Sequence, residues 1–292
     1  MSRLSKFHDK YYKSLLLITL VLIVLSIVYM GAFYSQNKDF IKKDISLTGG
    51  TSITVYGNFS AGDLELALSP DLPDLNVRQI SDITTREQKA LVIETTLEGE
   101  AAKKFVEDYL GFDLIEGENS DFEFTGSSLS ESFYKQLIIA IIFAFVLMAL
   151  VVFILFRTFI PSMAVIISAF ADILMTLVVI NMMGTKVSTA GIVAFLMLIG
   201  YSVDTDILLT TRLLKRKEGS LNQRLFGAFK TGITMTLTSF AAMLIALFVV
   251  RSFSAVLTQI FTVLVIGLAF DMLNTWITNA SILKWYVRRK EK

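Results

Sequence analysis

The sequence predicts an α-helical membrane protein with six transmembrane helices and one small α+β domain between the first two spans. Of the 292 residues, 54% are hydrophobic. Most of them lie in runs of roughly 20 residues, the length that an α-helix needs to cross a bilayer. Residues 38–135, in contrast, include 19 acidic and nine basic side chains, which is typical of a water-exposed surface.

The apolar runs define the predicted spans. The first run follows several basic residues and has no A-x-A-like cleavage site after Tyr34, so we interpret it as an anchor and not as a signal peptide. The other five runs come after the acidic interval. In chain order, the six runs are residues 15–33, 137–156, 163–183, 187–209, 233–250 and 260–283.

Basic residues between the runs predict the orientation of the helices. The N-terminal tail, Arg157, the predicted loop 212–230 and the tail 284–292 are basic and alternate correctly with the spans, so we expect them in the cytoplasm. The sequence therefore predicts a multi-pass protein of the cell (cytoplasmic) membrane with both termini cytoplasmic. The predicted parts are a tail with the first helix (1–37), an extracytoplasmic domain (38–135), a five-helix bundle (136–283) and a basic tail (284–292).

The extracytoplasmic interval combines strand-like and helix-like patterns. Strands are predicted at 52–58, 75–83, 89–97 and 121–125, and helices at 61–69 and 98–112. This βαββαβ order predicts a ferredoxin-like domain between spans 1 and 2. Gly49 and Gly50, at its entrance, are expected to form a structural turn, because a phosphate-binding loop would need more glycine-rich spacing or a P-loop lysine.

Composition and motifs exclude several classes of function. The chain has no cysteine and a single histidine, His8, so a thiolate or histidine metal centre and redox chemistry are not expected. No Gly-x-Ser-x-Gly or His-Glu-x-x-His motif is present, so a membrane-embedded hydrolase is set aside. We expect no catalytic residues, no cofactor, no metal and no nucleic-acid partner.

Two aspartates inside a predicted span carry the functional prediction. Asp204 and Asp206 lie within the run 187–209, where a carboxylate costs about 2.5–3.5 kcal/mol and usually faces the bundle interior, pairs with a cation or carries protons. The two side chains point about 200° apart on a helix, so they cannot share one face, and Asp204 is the deeper of the two. We expect proton or ion coupling here, and a static packing contact is the alternative.

A polar face on the fifth span is predicted to support these carboxylates. Lys230 is the best candidate counter-ion, and its alternative role is a lysine whose side chain reaches the headgroups. Thr231, Thr234 and Thr238 recur at helical spacing beside it, and interhelical hydrogen bonding is their alternative role.

Other intramembrane polar residues are secondary candidates for a relay or for packing. These are Asp172 in the third span and Asp271 and Asn274 in the sixth. Asp271 and Asn274 are three residues apart and share a helix face, which favours a local polar contact between them. Both aspartates rank below Asp204 and Asp206.

The order of motifs resembles the SecF family over nearly the whole chain. It comprises Asp-Ile-Ser-Leu-Thr-Gly-Gly-Thr at 44–51, the outer domain, and Gly-Tyr-Ser-Val-Asp-Thr-Asp at 200–206. SecF is the smaller subunit of the SecD–SecF accessory of the Sec export machinery and belongs to the resistance-nodulation-division superfamily. The resemblance implies assistance to protein translocation driven by the proton motive force. The partners implied are SecD as a heterodimer, the Sec translocation channel, the unfolded exported polypeptide and membrane lipid.

The central motif differs from that of bacterial family members. Bacterial members read Gly-Tyr-Ser-x-Asn-Asp-Thr, and the position of their aspartate is occupied by Thr205 in this chain. Asp204 instead matches the aspartate of the SecD motif Val-Asp-Ala-Asn. The family has an arginine before the threonine-rich run of the fifth span, and this chain has Lys230 at that position. These differences are similar to those of archaeal members.

Three functions stay open. The first is a proton-coupled helper of translocation, which is not an enzyme. The second is a non-conducting structural scaffold subunit of the translocation complex. The third is a half-size small-molecule exporter of the same superfamily, against which the small outer domain counts.

Overall fold

The computed structural model describes residues 3–82, 85, 87–216 and 218–290, with side chains from residue 10 onward. Its elements, in chain order, are α1 (Arg3–Asn37), α2 (Ile45–Thr48), β1 (Gly50–Tyr56), α3 (Ala61–Leu68), β2 (Asn76–Ser81), β3 (Gln88–Thr95), α4 (Gly99–Leu110), β4 (Ser120–Thr125), α5 (Ser127–Phe156), α6 (Phe159–Met182), α7 (Thr189–Leu214), α8 (Leu221–Val250), α9 (Ala255–Leu273), a π-helix (Asn274–Asn279) and α10 (Ala280–Lys290).

Within the described chain, six helical stretches are long and apolar enough to cross a membrane. They are α1, α5, α6, α7, α8 and the continuous stretch Ala255–Lys290, which joins α9, the π-helix and α10. The prediction of a six-helix membrane protein is confirmed.

The fifth of these helices is longer than its apolar run. It begins at Leu221, and Ser220 caps it with a reciprocal pair of hydrogen bonds, in which Ser220 N donates to Gln223 Oε1 at 2.8 Å and Gln223 N to Ser220 Oγ at 3.3 Å. The interval 212–230, predicted as a loop, is therefore mostly helical, and that prediction is wrong. Hydropathy detects the part of a helix that matches hydrocarbon and does not detect polar turns beyond it.

The segment between α1 and α5 contains a four-stranded sheet with the order β2-β3-β1-β4. Each neighbouring pair is antiparallel, and α3 and α4 follow β1 and β3. The strands lie on the four segments that the pattern predicted, except that Ile83, at the end of the second segment, falls outside the described residues. The core of this unit joins the sheet to both helices through Ile53, Val55, Leu91, Ile93, Leu64, Leu68, Ala102 and Val106.

Gly49 and Gly50 form the turn that enters this sheet. Their φ angles are 84° and 146°, which only glycine adopts readily. A Cβ on Gly49 would lie 2.5 Å from Ser127 Cα, and one on Gly50 would lie 2.3 Å from the Thr95 carbonyl oxygen. Both positions therefore require glycine, because the φ angles are positive and a Cβ atom would clash with neighbouring backbone atoms.

The small domain contacts the bundle at the start of α7, among other places. Asp44 N donates to the Val187 carbonyl at 3.0 Å, and Val187 N donates to the Lys42 carbonyl at 2.6 Å. Thr189 N donates to Ser46 Oγ at 3.1 Å. These bonds join α2 and the segment before it to the start of the helix that contains Asp204 and Asp206.

Helix α7 lies in the middle of the bundle and packs against α5, α6, α8 and α9. A Cβ on Gly267 of α9 would lie 2.5 Å from Leu198 Cδ1 and Cδ2, so α9 approaches α7 closely because residue 267 has no side chain. This close packing brings polar residues on α6, α7 and α9 into one buried region.

Candidate functional site

Three aspartates from three helices meet in the bundle core. Asp172 on α6, Asp206 on α7 and Asp271 on α9 are each 0% exposed. We call them, together with the polar side chains that bind them, the carboxylate cluster. These partners are Ser202, Asn274, Thr275 and Asn279.

Asp172 has a hydrogen-bond donor on each carboxylate oxygen. Ser202 Oγ donates to its Oδ2 at 2.5 Å, and Asn274 Nδ2 donates to its Oδ1 at 2.7 Å. A buried carboxylate requires such donors because it has lost its water. Asp172 thereby links α6 to both α7 and the π-helix.

Asp206 and Asp271 share one hydroxyl. Thr275 Oγ1 lies 2.8 Å from Asp206 Oδ1 and 3.1 Å from Asp271 Oδ1. Asn279 Nδ2 also donates to Asp206 Oδ1, at 2.7 Å. The second oxygens, Asp206 Oδ2 and Asp271 Oδ2, are buried without a hydrogen-bond partner, so this half of the cluster has fewer donors than acceptors.

The π-helix supplies most of the donors in the cluster. Asn274, Thr275 and Asn279 all belong to it and are all 0% exposed. A π-helical turn is wider than an α-helical turn and is frequent at functional sites. Here it points amides and a hydroxyl at carboxylates on two neighbouring helices.

No salt bridge involves the aspartates of the cluster in the part of the chain that the structure describes. The five salt bridges recorded there all lie elsewhere. Buried Lys284 on α10 has its Nζ 5.5 Å from the centroid of the Tyr12 ring. Over the same residues, no three His, Cys, Asp or Glu side chains are arranged to hold a metal ion.

The side chains of Asp204 and Asp206 lie on different faces of α7. Asp206 is fully buried, whereas Asp204 is exposed, as the 200° separation of their side chains requires. Asp204 was predicted to lie deeper along the span, and this stays a prediction, because position along a helix does not determine which face packs. Asp204 lies 15 residues after Thr189, about 22 Å along the helix axis.

Lys230 does not contact the cluster. It is exposed on α8, and no salt bridge joins it to an aspartate among the described residues. Its predicted role as the counter-ion of Asp204 and Asp206 is thus not seen as an ion pair among the described residues, where Lys230 is exposed and Asp206 is buried.

The supporting threonines lie on or near the same exposed face of α8. Thr231, Thr234 and Thr238 donate to carbonyls four residues earlier in their own helix, at 3.3, 2.8 and 2.7 Å. The interhelical threonine contact is instead made by buried Thr236, whose Oγ1 lies 3.2 Å from Thr205 Oγ1.

The secondary candidates form the core of the cluster. Asp172 and Asp271 belong to it with Asp206, whereas Asp204 does not. Asn274 was expected to contact Asp271, but its side chain donates a hydrogen bond to Asp172 instead. Asn274 is the first residue of the π-helix.

Sequence reasoning assigned no role to three members of the cluster. Thr275 and Asn279 follow Asp271 at four-residue spacing, so a search for polar residues at helical spacing in the last span would have found both. Ser202 lies in the Gly-Tyr-Ser motif and gives no such signal by itself.

Comparison with solved structures supports the fold. The chain superposes on SecDF from Thermus thermophilus, described as a translocon-associated membrane protein, with a TM-score of 0.73 and 18% identity. The match covers 96% of this chain and 38% of that longer chain. A structure of SecDF in a super-membrane-facing form matches with a TM-score of 0.64 and 17% identity, covering 97% of this chain and 39% of the other.

Comparison of sequences identifies the family. Residues 110–289 match the family described as protein export membrane protein SecD/SecF, C-terminal. The protein-export membrane protein SecF of Methanocaldococcus jannaschii is 38% identical, with 95% of this chain and 96% of that protein covered. SecF of Pyrococcus furiosus is 35% identical, with coverage of 96% and 92%. The chain therefore belongs to the SecF family of protein-export membrane proteins.

Proposed function

We propose that the chain pairs with SecD and assists Sec-dependent translocation of unfolded polypeptides, using the proton gradient through its intramembrane carboxylates. The observation that carries this proposal is the exposure of Asp204 within a span. Asp204 is about 22 Å from one end of α7 and about 15 Å from the other. A carboxylate facing lipid at that depth costs about 2.5–3.5 kcal/mol, so a polar partner or a water-filled cleft must cover it.

A second membrane protein fits this surface. The exposed residues beside Asp204 include Gly200 on α7, where a Cβ would meet nothing within 4 Å. Lys230, Thr234 and Thr238 are exposed on neighbouring α8. Small and polar residues are typical of surfaces where membrane helices pack against each other. We name these five residues the outward polar surface and assign it to SecD.

The proposed orientation places the small domain outside the cell. Its strand order and antiparallel pairing agree with a ferredoxin-like βαββαβ unit, and basic residues cluster at the opposite ends of the helices. With the termini in the cytoplasm, this domain would meet the exported chain. Its hydrogen bonds to the start of α7 join it to the helix that contains both carboxylates.

Export of a secreted reporter tests the coupling. Cells would carry Asp204→Asn, Asp206→Asn or both, with Asp63→Asn, an exposed residue of α3, as the matched control. We expect reduced export with either intramembrane substitution at normal abundance, and unchanged export with Asp63→Asn. Full export by the double variant would overturn coupling through these carboxylates.

The scaffold function is favoured by one observation. Asp206 Oδ1 accepts hydrogen bonds from both Thr275 and Asn279, a pattern that a purely structural carboxylate would also show. A scaffold tolerates Asp206→Asn when the protein still folds, whereas coupling does not. Export measured at matched abundance of the variants therefore separates the two functions.

Pairing with SecD is tested at Gly200. Gly200→Leu adds bulk at the outward polar surface, so we expect it to reduce co-purification of SecD without changing the thermal stability of the isolated chain. Gly31→Leu is the matched control, because Gly31 is also exposed in a span and a Cβ there meets nothing within 4 Å. Equal SecD recovery from both variants would place the interface elsewhere.

A further inference from the structure

The first turns of α1 and the last turns of α10 pack side by side. The ring of Tyr12 on α1 lies against two cations of α10, with Lys284 Nζ and Arg288 Cζ each 5.5 Å from the ring centroid. A cation is attracted to the face of an aromatic ring, and Lys284 and Arg288 are four residues apart and share a helix face. These contacts bring two basic segments of the chain together.

The charge of the two segments is strongly positive. Residues 1–14 contain four Lys or Arg and one Asp, and residues 280–292 contain five Lys or Arg and one Glu. Four of these basic side chains are exposed and form what we call the basic patch. They are Lys10, Lys13, Arg289 and Lys290. Among the described residues, none of the four takes part in a salt bridge.

The basic patch lies where the membrane-spanning part of the bundle ends. The apolar run of α1 begins two residues after Lys13, so Lys13 and Tyr12 lie at the edge of the hydrocarbon core. The contact with Tyr12 places Arg288 at the same level. Tyr11 and Trp285, beside the patch, are 39% and 40% exposed. Tyrosine and tryptophan are enriched at the membrane–water interface, so the patch is at the level of the lipid headgroups.

We infer that the basic patch binds the phosphate of an anionic lipid headgroup, with Trp285 at the edge of the site. The Arg289 guanidinium lies 5.6 Å from the Trp285 ring centroid, and a guanidinium can donate two parallel hydrogen bonds to a phosphate. Lysines add positive charge that attracts anionic lipids to the ends of membrane helices. A zwitterionic headgroup carries its own cation, which the patch repels, so the site prefers anionic lipid.

The level of the patch selects lipid over a soluble acidic partner. Trp285 and Tyr11 lie among the headgroups, and a soluble protein or nucleic acid would have to displace lipid in order to reach them. The inference goes beyond the proposed role in export and does not depend on it.

Fluorescence quenching by brominated lipid tests the site. The full chain would be placed in vesicles of phosphatidylcholine and phosphatidylglycerol, with bromine near the headgroup of one lipid or of the other. The chain has two tryptophans, and Trp276 is 7% exposed whereas Trp285 is 40% exposed, so Trp285 reports contact with lipid. At equal mole fractions, we expect brominated phosphatidylglycerol to quench more strongly, and Trp285→Phe should remove this difference.

Removing basic side chains should reduce the preference. One Lys or Arg near an anionic surface changes affinity by a factor of about five, so Arg289→Gln should lower the ratio of the two lipid affinities about fivefold. Lys13→Gln in addition should lower it further. The matched control is Lys215→Gln with Arg216→Gln, two exposed cations beyond the end of α7, which should keep the ratio. An unchanged emission maximum from buried Trp276 would show that each variant is folded.

Three outcomes would overturn the inference. Equal quenching by the two lipids in wild type would show that the site has no preference for anionic lipid. An equal loss in the Lys215 and Arg216 control would show a diffuse effect of charge and no local site. Displacement by inorganic phosphate, but not by sodium chloride at the same ionic strength, would show a site for free phosphate instead. Because no exported chain is present, failure of this test leaves the proposed function untouched, and failure of export leaves lipid binding untouched.

Discussion

Asn274 Nδ2 donates to Asp172 Oδ1 at 2.7 Å, so the first residue of the π-helix binds the carboxylate of α6. The two residues are 102 positions apart in the sequence, and both are completely buried. Ser202 donates to the other oxygen, Oδ2. Asp172 is therefore the carboxylate of the cluster in which both oxygens accept a hydrogen bond. It also ties the sixth apolar stretch to the third.

Removing the Asn274 amide should destabilise the bundle. Asn274→Ala leaves Asp172 Oδ1 buried without its donor, which costs about 1–3 kcal/mol, so we expect a lower unfolding temperature in detergent. The control is Asn58→Ala, since Asn58 is exposed and surface substitutions usually have small effects. If the two variants unfolded at the same temperature, the Asn274 bond would contribute nothing to the stability of the bundle.

A side chain at Gly232 should push α8 away from the π-helix. A Cβ there would lie 2.4 Å from Trp276 Cζ2 and 3.2 Å from Thr205 Cγ2, so Gly232→Ala should cost about 1–3 kcal/mol through overpacking. Gly31→Ala serves as the control, because its Cβ meets nothing within 4 Å and alanine favours the helix. Thermal unfolding that ranks Gly232→Ala at or above Gly31→Ala would contradict this packing.

Substitution at Gly50 should loosen the entry to the sheet. The Cβ of Gly50→Ala would lie 2.3 Å from the Thr95 carbonyl oxygen, and the φ of 146° disfavours any side chain. We expect faster amide exchange in β1 and β3, at a cost of about 1–3 kcal/mol. Gly62→Ala in α3, where a Cβ meets nothing within 4 Å, should leave exchange unchanged. Equal protection in both variants would refute the requirement for glycine.

The turn after α1 should weaken in acid. Burial alone would raise the pKa of Asp39, but hydrogen bonds from Lys43 and Tyr134 outweigh it and hold that pKa below its ordinary value of 3.8. The bonds measure 2.9 Å from Lys43 Nζ and 2.7 Å from Tyr134 Oη. Because the pKa is lower in the folded state, Asp39 contributes its full stability above about pH 4 and loses it as the pH falls through the folded pKa.

Tyr134→Phe tests this contribution. It removes one donor, so the pKa of Asp39 should move back towards its ordinary value and acid unfolding should begin at higher pH. Tyr109→Phe is the control, since Tyr109 is 42% exposed. Acid unfolding followed by intrinsic fluorescence would compare the two, and identical midpoints would show that the Tyr134 bond does not stabilise the ionised Asp39.

Much of the architecture could be predicted because it depends on local patterns. A helix that crosses the hydrocarbon core of a bilayer must be apolar, so hydropathy predicted the six helices. The alternation of apolar and polar residues predicted the strands. Helix ends were missed where polar turns extend a helix into water, as at Leu221. The π-helix was missed as well, since nothing in its residues Asn274–Asn279 breaks the helical pattern.

By itself, the sequence determined that this is a six-helix membrane protein of the SecF type with carboxylates inside its spans, because apolar run length and motif order are properties of the chain. Only the tertiary structure decided that Asp206 points inward with Asp172 and Asp271 while Asp204 points outward with Lys230. The physical reason is that neighbouring residues on one helix face different surroundings. Which surroundings are protein and which are lipid or partner depends on how helices distant in sequence pack.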